Sequence, residues 1–221
     1  HGGVAPVIID ENVQIEKLIQ PLVKGSFYHA GQVCVSVQKV FVHHTIIKEL
    51  SEQLVKKAKG LIVGNPLKEQ TEVGPLILPK EVDRIEEWLK EAISEGAQLL
   101  CGGNKISETC FEPTILLNPS KKSKVSTQEI FGPVVCLYTY DDIDNVVEEI
   151  NSSPFAFQAS IFSNDVNFIL SKSKKINASA VMINDHTAFR VDWMPFGGRD
   201  QSGIGVGGIQ YTINEMTKKK L

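Results

Sequence analysis

Short apolar runs alternate along the chain with longer segments whose apolar residues recur every three or four positions, and this alternation limits the fold more than any single motif does. Residues 4–9 form an apolar run suited to a buried strand. Ile15, Leu18, Ile19, Leu22 and Val23 share one face of a helix that contains Pro21 and that Gly25 is expected to stop. Residues 37–42 read as a strand, and Thr45 reads as the N-cap of a helix through residue 59, with Leu50, Leu54 and Val55 turned inward. Residues 61–79, rich in Gly and Pro, predict a long loop. A helix over 80–94 then buries Ile85, Trp88, Leu89 and Ile93. Further strands are expected at 98–101, 114–117, 134–138, 159–162 and 180–183, with helices from an Asp141–Asp142 cap to Ile150 and over 166–174. Strands alternating with helices predict a three-layer α/β/α domain, its sheet mostly parallel and covered on both faces. No repeat, low-complexity tract or linker interrupts residues 1–221, so one domain is expected.

Charge and cysteine content narrow the partners. With 221 residues, 42% hydrophobic and a net charge of −3, the chain has no basic field to draw nucleic acid. No apolar stretch approaches the roughly 20 residues of a membrane helix, and HGGVAP has none of the marks of a signal peptide. Because the chain starts at His1, directly on a strand-like run, it reads as a cut within a longer protein. Cys34, Cys101, Cys110 and Cys136 form no C-x-x-C pair and no zinc spacing, so no metal is expected and a reducing, cytoplasmic setting is.

Three segments can carry chemistry. In SFYHAGQVCVSVQKVFV, residues 26–42, Gly31 lets backbone approach closely, and exposed N–H groups around Cys34 can lower its pKa or bind an oxyanion. The plainer alternative is an inert core cysteine. In TQEIFGPVVCLYTY, residues 127–140, the Glu129 carboxylate can accept from two ribose hydroxyls and Phe131 offers a flat apolar face. Equally, Glu129 can be a solvated charge and Phe131 a core ring. In MPFGGRDQSGIGVGG, residues 194–208, the glycines imply a loop running close to ligand, backbone or partner, without a proper dinucleotide fingerprint. Arg190 just ahead of it can meet an anionic substrate group, or pair with Asp185 or Asp192.

In this order HGGVAP, HAGQVC, VGNPLKEQTEVGPLI, QEIFGPV and MPFGGRDQSG resemble the aldehyde dehydrogenase superfamily over nearly the whole chain. The resemblance implies the catalytic domain of an enzyme that uses NAD or NADP, with the N-terminal cofactor-binding domain absent. It makes Cys34 the nucleophile that forms a thiohemiacetal and then a thioester, its own N–H half of the oxyanion hole. Glu129 holds the nicotinamide ribose, Phe131 packs beside the nicotinamide, and Phe196, Ala188 and Phe189 line the substrate tunnel. The general-base glutamate would stand just upstream of His1, so the chain alone is expected to be inactive. The sequence departs from the family at Asp200, where many members have Lys, and at Val206–Gly207, where many have Arg-Glu. Residues 208–221 resemble the tail whose last strand pairs with a neighbouring subunit, which implies a homo-oligomer. Three other readings remain open: acyl transfer to coenzyme A, a cysteine hydrolase using His29, His43 or His44, and a non-catalytic assembly domain.

Overall fold

A computed structural model describes residues 2–220. In chain order it holds β1 (Pro6–Ile9), α1 (Ile15–Phe27), β2 (Lys39–His43), α2 (Ile47–Lys59), α3 (Pro79–Ser94), β3 (Gln98–Cys101), β4 (Thr114–Leu117), α4 (Lys124–Thr127) and β5 (Val134–Tyr140). There follow α5 (Ile143–Ser152), β6 (Phe155–Ala156), β7 (Gln158–Phe162), α6 (Val166–Ser173), β8 (Ala180–Ile183), β9 (Arg199–Asp200) and α7 (Ile209–Met216). Seven strands form one sheet in the order β3-β4-β5-β2-β1-β7-β8, and β6 pairs β9 in a separate ribbon. Every neighbouring pair in the large sheet is parallel except β3 with β4. The expected α/β class and mostly parallel sheet are therefore present.

The middle of the sheet is buried on both sides, which is why its strands read as continuous apolar runs and not as alternating ones. Val7, Ile8, Ile9, Val40, Val42 and Ile161 are all fully buried. Right-handed crossovers put α1 and α2 on one face, where they pack together, and α5 and α6 on the other. On that second face Lys39 reaches Glu149 of α5 at 3.0 Å and lies over the rings of Phe41 and Tyr138. Asp142 caps α5 through the Asp144 N–H, as its sequence position suggests. No helix among the described residues is long and apolar enough to cross a membrane.

Four local expectations fail, each for a tertiary reason. Gly25 does not end α1; it lies inside the helix where His186 and Val37 press against its backbone. Thr45 caps nothing, because its hydroxyl pairs with His43 Nδ1, and α2 starts two residues later without a side-chain cap. On α3 the inward stripe is Val82, Ile85, Leu89 and Ala92, leaving Ile93 40% exposed. The tail contains no strand among its described residues; Ile209, Ile213 and Met216 follow Gly208 at helical spacing and coil into α7. Leu221 lies outside the described residues.

The Gly25 contact can be tested by substitution. A Cβ there would lie 2.7 Å from His186 Cβ and 2.8 Å from Val37 Cγ2. Gly25→Ala would gain about 1 kcal/mol of helix propensity, but overpacking of this kind costs about 1–3 kcal/mol. A lower urea midpoint is expected; a higher one would show that the contact can relax freely.

Candidate active site

The Cys34 loop begins just past the end of α1. His29, Ala30 and Gly31 have φ of +50°, +54° and +71°, three left-handed residues in succession. Such geometry costs of order 1–3 kcal/mol at a non-glycine residue and persists only when surroundings fix it. Here the Gln32 N–H donates to His29 O at 3.1 Å. The Gln32 side chain donates to Pro75 O at 3.1 Å and accepts from the Ile77 N–H at 2.9 Å, binding the loop to residues 71–77. Farther along, the Val37 N–H donates to Gly25 O and Thr187 Oγ1 donates to Val35 O. Cys34, between these anchors, is half-buried, whereas Cys101, Cys110 and Cys136 are buried.

Glu129 arrives from the segment between α4 and β5. Gln38, buried at the start of β2, donates to Val125 O and Gln128 O and accepts from the Ile130 N–H. Arg84 on α3 donates to Ile130 O at 2.6 Å and lies over the Trp88 ring. Glu129 Oε1 accepts from the Gly3 N–H at 3.0 Å, just ahead of β1. The two loops meet through bare backbone, since a Cβ on Gly31 would lie 2.0 Å from the Gly132 carbonyl oxygen. Gln38, Arg84 and Gln32 were given no role by sequence pattern alone. The one available signal was an amide, Gln38, beside Lys39 at the entry to a strand whose next three residues are apolar.

Electrostatics contradict one expectation. The Cys34 thiol is held above its ordinary range, first by burial and then by the Glu129 charge; its own backbone N–H opposes this without cancelling it. Glu129 is likewise raised by burial, with the Gly3 N–H and Arg84 pulling the other way. The exposed N–H groups expected to depress the thiol pKa are thus outweighed by desolvation and a neighbouring carboxylate.

Two clefts flank the loop. Val33 lines one of about 690 Å³ with His29, Gln32, Pro75 and Phe131, the last 40% exposed at φ +51°. Cys34 lines the other, of about 410 Å³, with Phe157, Phe196, Glu215 and the glycine-rich loop. The Phe157 and Phe196 rings lie 4.8 Å apart. Arg190 covers Phe196 with Cζ 4.4 Å from the ring centroid, and among the described residues it forms no ion pair with Asp185 or Asp192. Ala188 donates its N–H to His186 Nδ1 and Phe189 is 42% exposed; neither lines the Cys34 cleft. The glycines of the late loop serve mainly its own folding, with Gly197 against Gly205 O and Gly198 against Ser202 O. Among the described residues no imidazole hydrogen-bonds to Cys34: His43 pairs with Thr45 and Glu11, His44 with Asp141, and His29 is exposed.

The chain belongs to the aldehyde dehydrogenase family, whose model it matches over residues 1–221. It is 41% identical over 220 residues to a 3-sulfolactaldehyde dehydrogenase of Priestia megaterium, covering 100% of this chain and 46% of that protein. It is 38% identical over 219 residues to a lactaldehyde dehydrogenase of Methanocaldococcus jannaschii, covering 99% of this chain and 47% of the relative. Among solved structures it superposes on a glyceraldehyde-3-phosphate dehydrogenase of Methanocaldococcus jannaschii complexed with NADP. The TM-score is 0.94 at 38% identity, over 98% of this chain and 47% of that one. The chain thus spans about half the length of the relatives it matches.

The coupling of thiol and carboxylate predicts a pH effect. Glu129→Gln removes a negative charge that disfavours the thiolate, so the pH profile of Cys34 alkylation by iodoacetamide should move to lower pH. The difference should vanish below the pH at which Glu129 itself protonates, which lies above the usual carboxylate range. A profile that stays put or moves upward would show that the two groups do not interact.

Proposed function

We propose that this chain is the thiol-bearing catalytic domain of an NAD(P)-dependent aldehyde dehydrogenase, and that a longer protein supplies the cofactor-binding domain. The observation that carries this reading is the placing of Cys34 and Glu129 on two loops that touch, with a cleft on either side. The residues present fit a nicotinamide cofactor. Glu129 is only half-buried, and among the described residues its Oε2 accepts no hydrogen bond, leaving it able to take one from a ribose hydroxyl. Phe131 presents an apolar ring to the larger cleft. When bound, NAD or NADP supplies the hydride acceptor.

The chain's own atoms do the rest. Cys34 Sγ, once deprotonated, adds to the aldehyde carbon to give a thiohemiacetal, and the Cys34 N–H helps to hold the developing oxyanion. Loss of hydride leaves a thioester on Sγ, which water opens to the carboxylate. Because the thiol is raised, a base must take its proton as the aldehyde arrives; with Glu129 read as the ribose holder, we place that base in the longer protein. The unpaired thiols fit a reducing compartment such as the cytoplasm. Trp193, Ile204, Ile209 and Met216 are all more than 70% exposed, an apolar surface suited to burial in a homo-oligomer.

The 221-residue chain with NAD or NADP and short aldehydes should show no turnover above background. The protein of family length that carries it should be active and should lose at least a thousandfold in kcat on Cys34→Ser, an order of magnitude in keeping with loss of a nucleophile. Glu129→Ala should raise the cofactor KM about tenfold, the loss of roughly 1.4 kcal/mol of binding. Turnover that survives alkylation of Cys34 would overturn the reading. For substrate class, Arg190 lies over Phe196, a ring that lines the Cys34 cleft, and among the described residues it forms no ion pair, which suits an aldehyde bearing an anionic group. Arg190→Ala should raise KM about tenfold for anionic aldehydes, the loss of one charge-assisted contact, and leave neutral ones unchanged; equal effects on both would remove the anion role.

A further inference from the structure

We propose that Gln38 is the residue that positions Glu129 against the nucleophile loop, its side-chain amide clamping the backbone on both sides of that carboxylate. Gln38 is 5% exposed. Its Nε2 donates to Gln128 O at 2.7 Å and to Val125 O at 3.2 Å, and its Oε1 accepts from the Ile130 N–H at 2.9 Å. The residues immediately before and after Glu129 are therefore held by opposite ends of one carboxamide. None of these bonds serves the strand on which Gln38 sits.

The main chain of Gln38 meanwhile belongs to the sheet. Its carbonyl accepts from the Cys136 N–H at 2.8 Å and its N–H donates to Ala5 O at 3.5 Å. Three residues separate it from Cys34, which lies in a turn on the same short segment leading into β2. The clamp sets where Glu129 stands relative to that segment. The 125–130 segment has no ladder partner of its own; Arg84 holds Ile130 O and the Gly3 N–H meets Glu129, but only Gln38 grips the backbone on both sides of the carboxylate. Only a side chain with both donor and acceptor at this reach can do so. Met matches the length but supplies no N–H, and Glu accepts from Ile130 yet repels the two carbonyls.

The inference rests on the reading that Cys34 and Glu129 form one site, but its test needs no turnover. In the unmodified chain, hydrogen exchange should find the Ile130 amide, whose acceptor is Gln38 Oε1, as protected as the amides of β5. In Gln38→Met that protection should fall at least tenfold. The alkylation profile of Cys34 should shift in the same direction as in Glu129→Gln, and the double variant should show no further shift. Gln38→Glu should keep part of the Ile130 protection and lose the hold on residue 128. Unprotected Ile130 in the unmodified chain would overturn the proposal, and this arm stands even if Gln38→Met fails to fold. So would a Gln38→Met shift that is as large in the Glu129→Gln background as alone, since Gln38 would then act on Cys34 without Glu129.

Discussion

Two strips of bare backbone touch where Gly31 meets Gly132, and the geometry of the site depends on that contact. No side chain of any kind fits between them, for a Cβ on Gly31 would lie 2.0 Å from the opposing carbonyl oxygen. One strip leads to Cys34 three residues on; the other follows Glu129 by the same distance. Neither loop belongs to the sheet, so neither can satisfy its peptide groups through a ladder. Amide side chains do it instead. Gln32 fastens the nucleophile loop to residues 75 and 77, and Gln38 fastens the carboxylate loop to the sheet. Carboxamides suit this task because each carries donors and an acceptor without a charge to desolvate.

The site gathers at the amino-terminal ends of the parallel strands. Gly3 precedes β1, Cys34 precedes β2, Glu129 precedes β5 and Phe157 precedes β7. Open α/β sheets commonly bind ligands beyond the carboxyl ends, at a change in strand order. At that opposite end this protein has a crevice of about 350 Å³ walled by Tyr138, Tyr140, Asp142 and Glu149. The charges there are spent on one another, with Lys39 and Lys121 both bonded to Glu149. An assignment by fold habit would point to that end; the chemistry of individual side chains favours the Cys34 cleft as the candidate site.

Much of the architecture was legible because burial on both faces of the sheet leaves unbroken apolar runs, as in Val7 to Ile9. What was not legible depended on distant partners. Gly25 looks like a helix stop until His186 presses on it, and Thr45 looks like a cap until His43 takes its hydroxyl. The same holds in the site. Cys34 and Glu129 were recognisable by motif, and the structure sets them together. Arg190 could be named but its contact, the face of Phe196 and not Asp185 or Asp192, could not. Ala188 and Phe189 lie on the right segment but outside the Cys34 cleft. The direction of the thiol's shift was misread because desolvation and a carboxylate more than ninety residues away leave no trace in local pattern.

That shift has a bearing on how the protein survives between encounters. Peroxides and other electrophilic oxidants attack the anionic form of sulfur far faster than the protonated form. A cysteine kept protonated by burial and by Glu129 is therefore a slow target for sulfenic acid formation. Burial is the first cause of the shift, so the same half-buried setting that limits access to the sulfur also disfavours its reactive form.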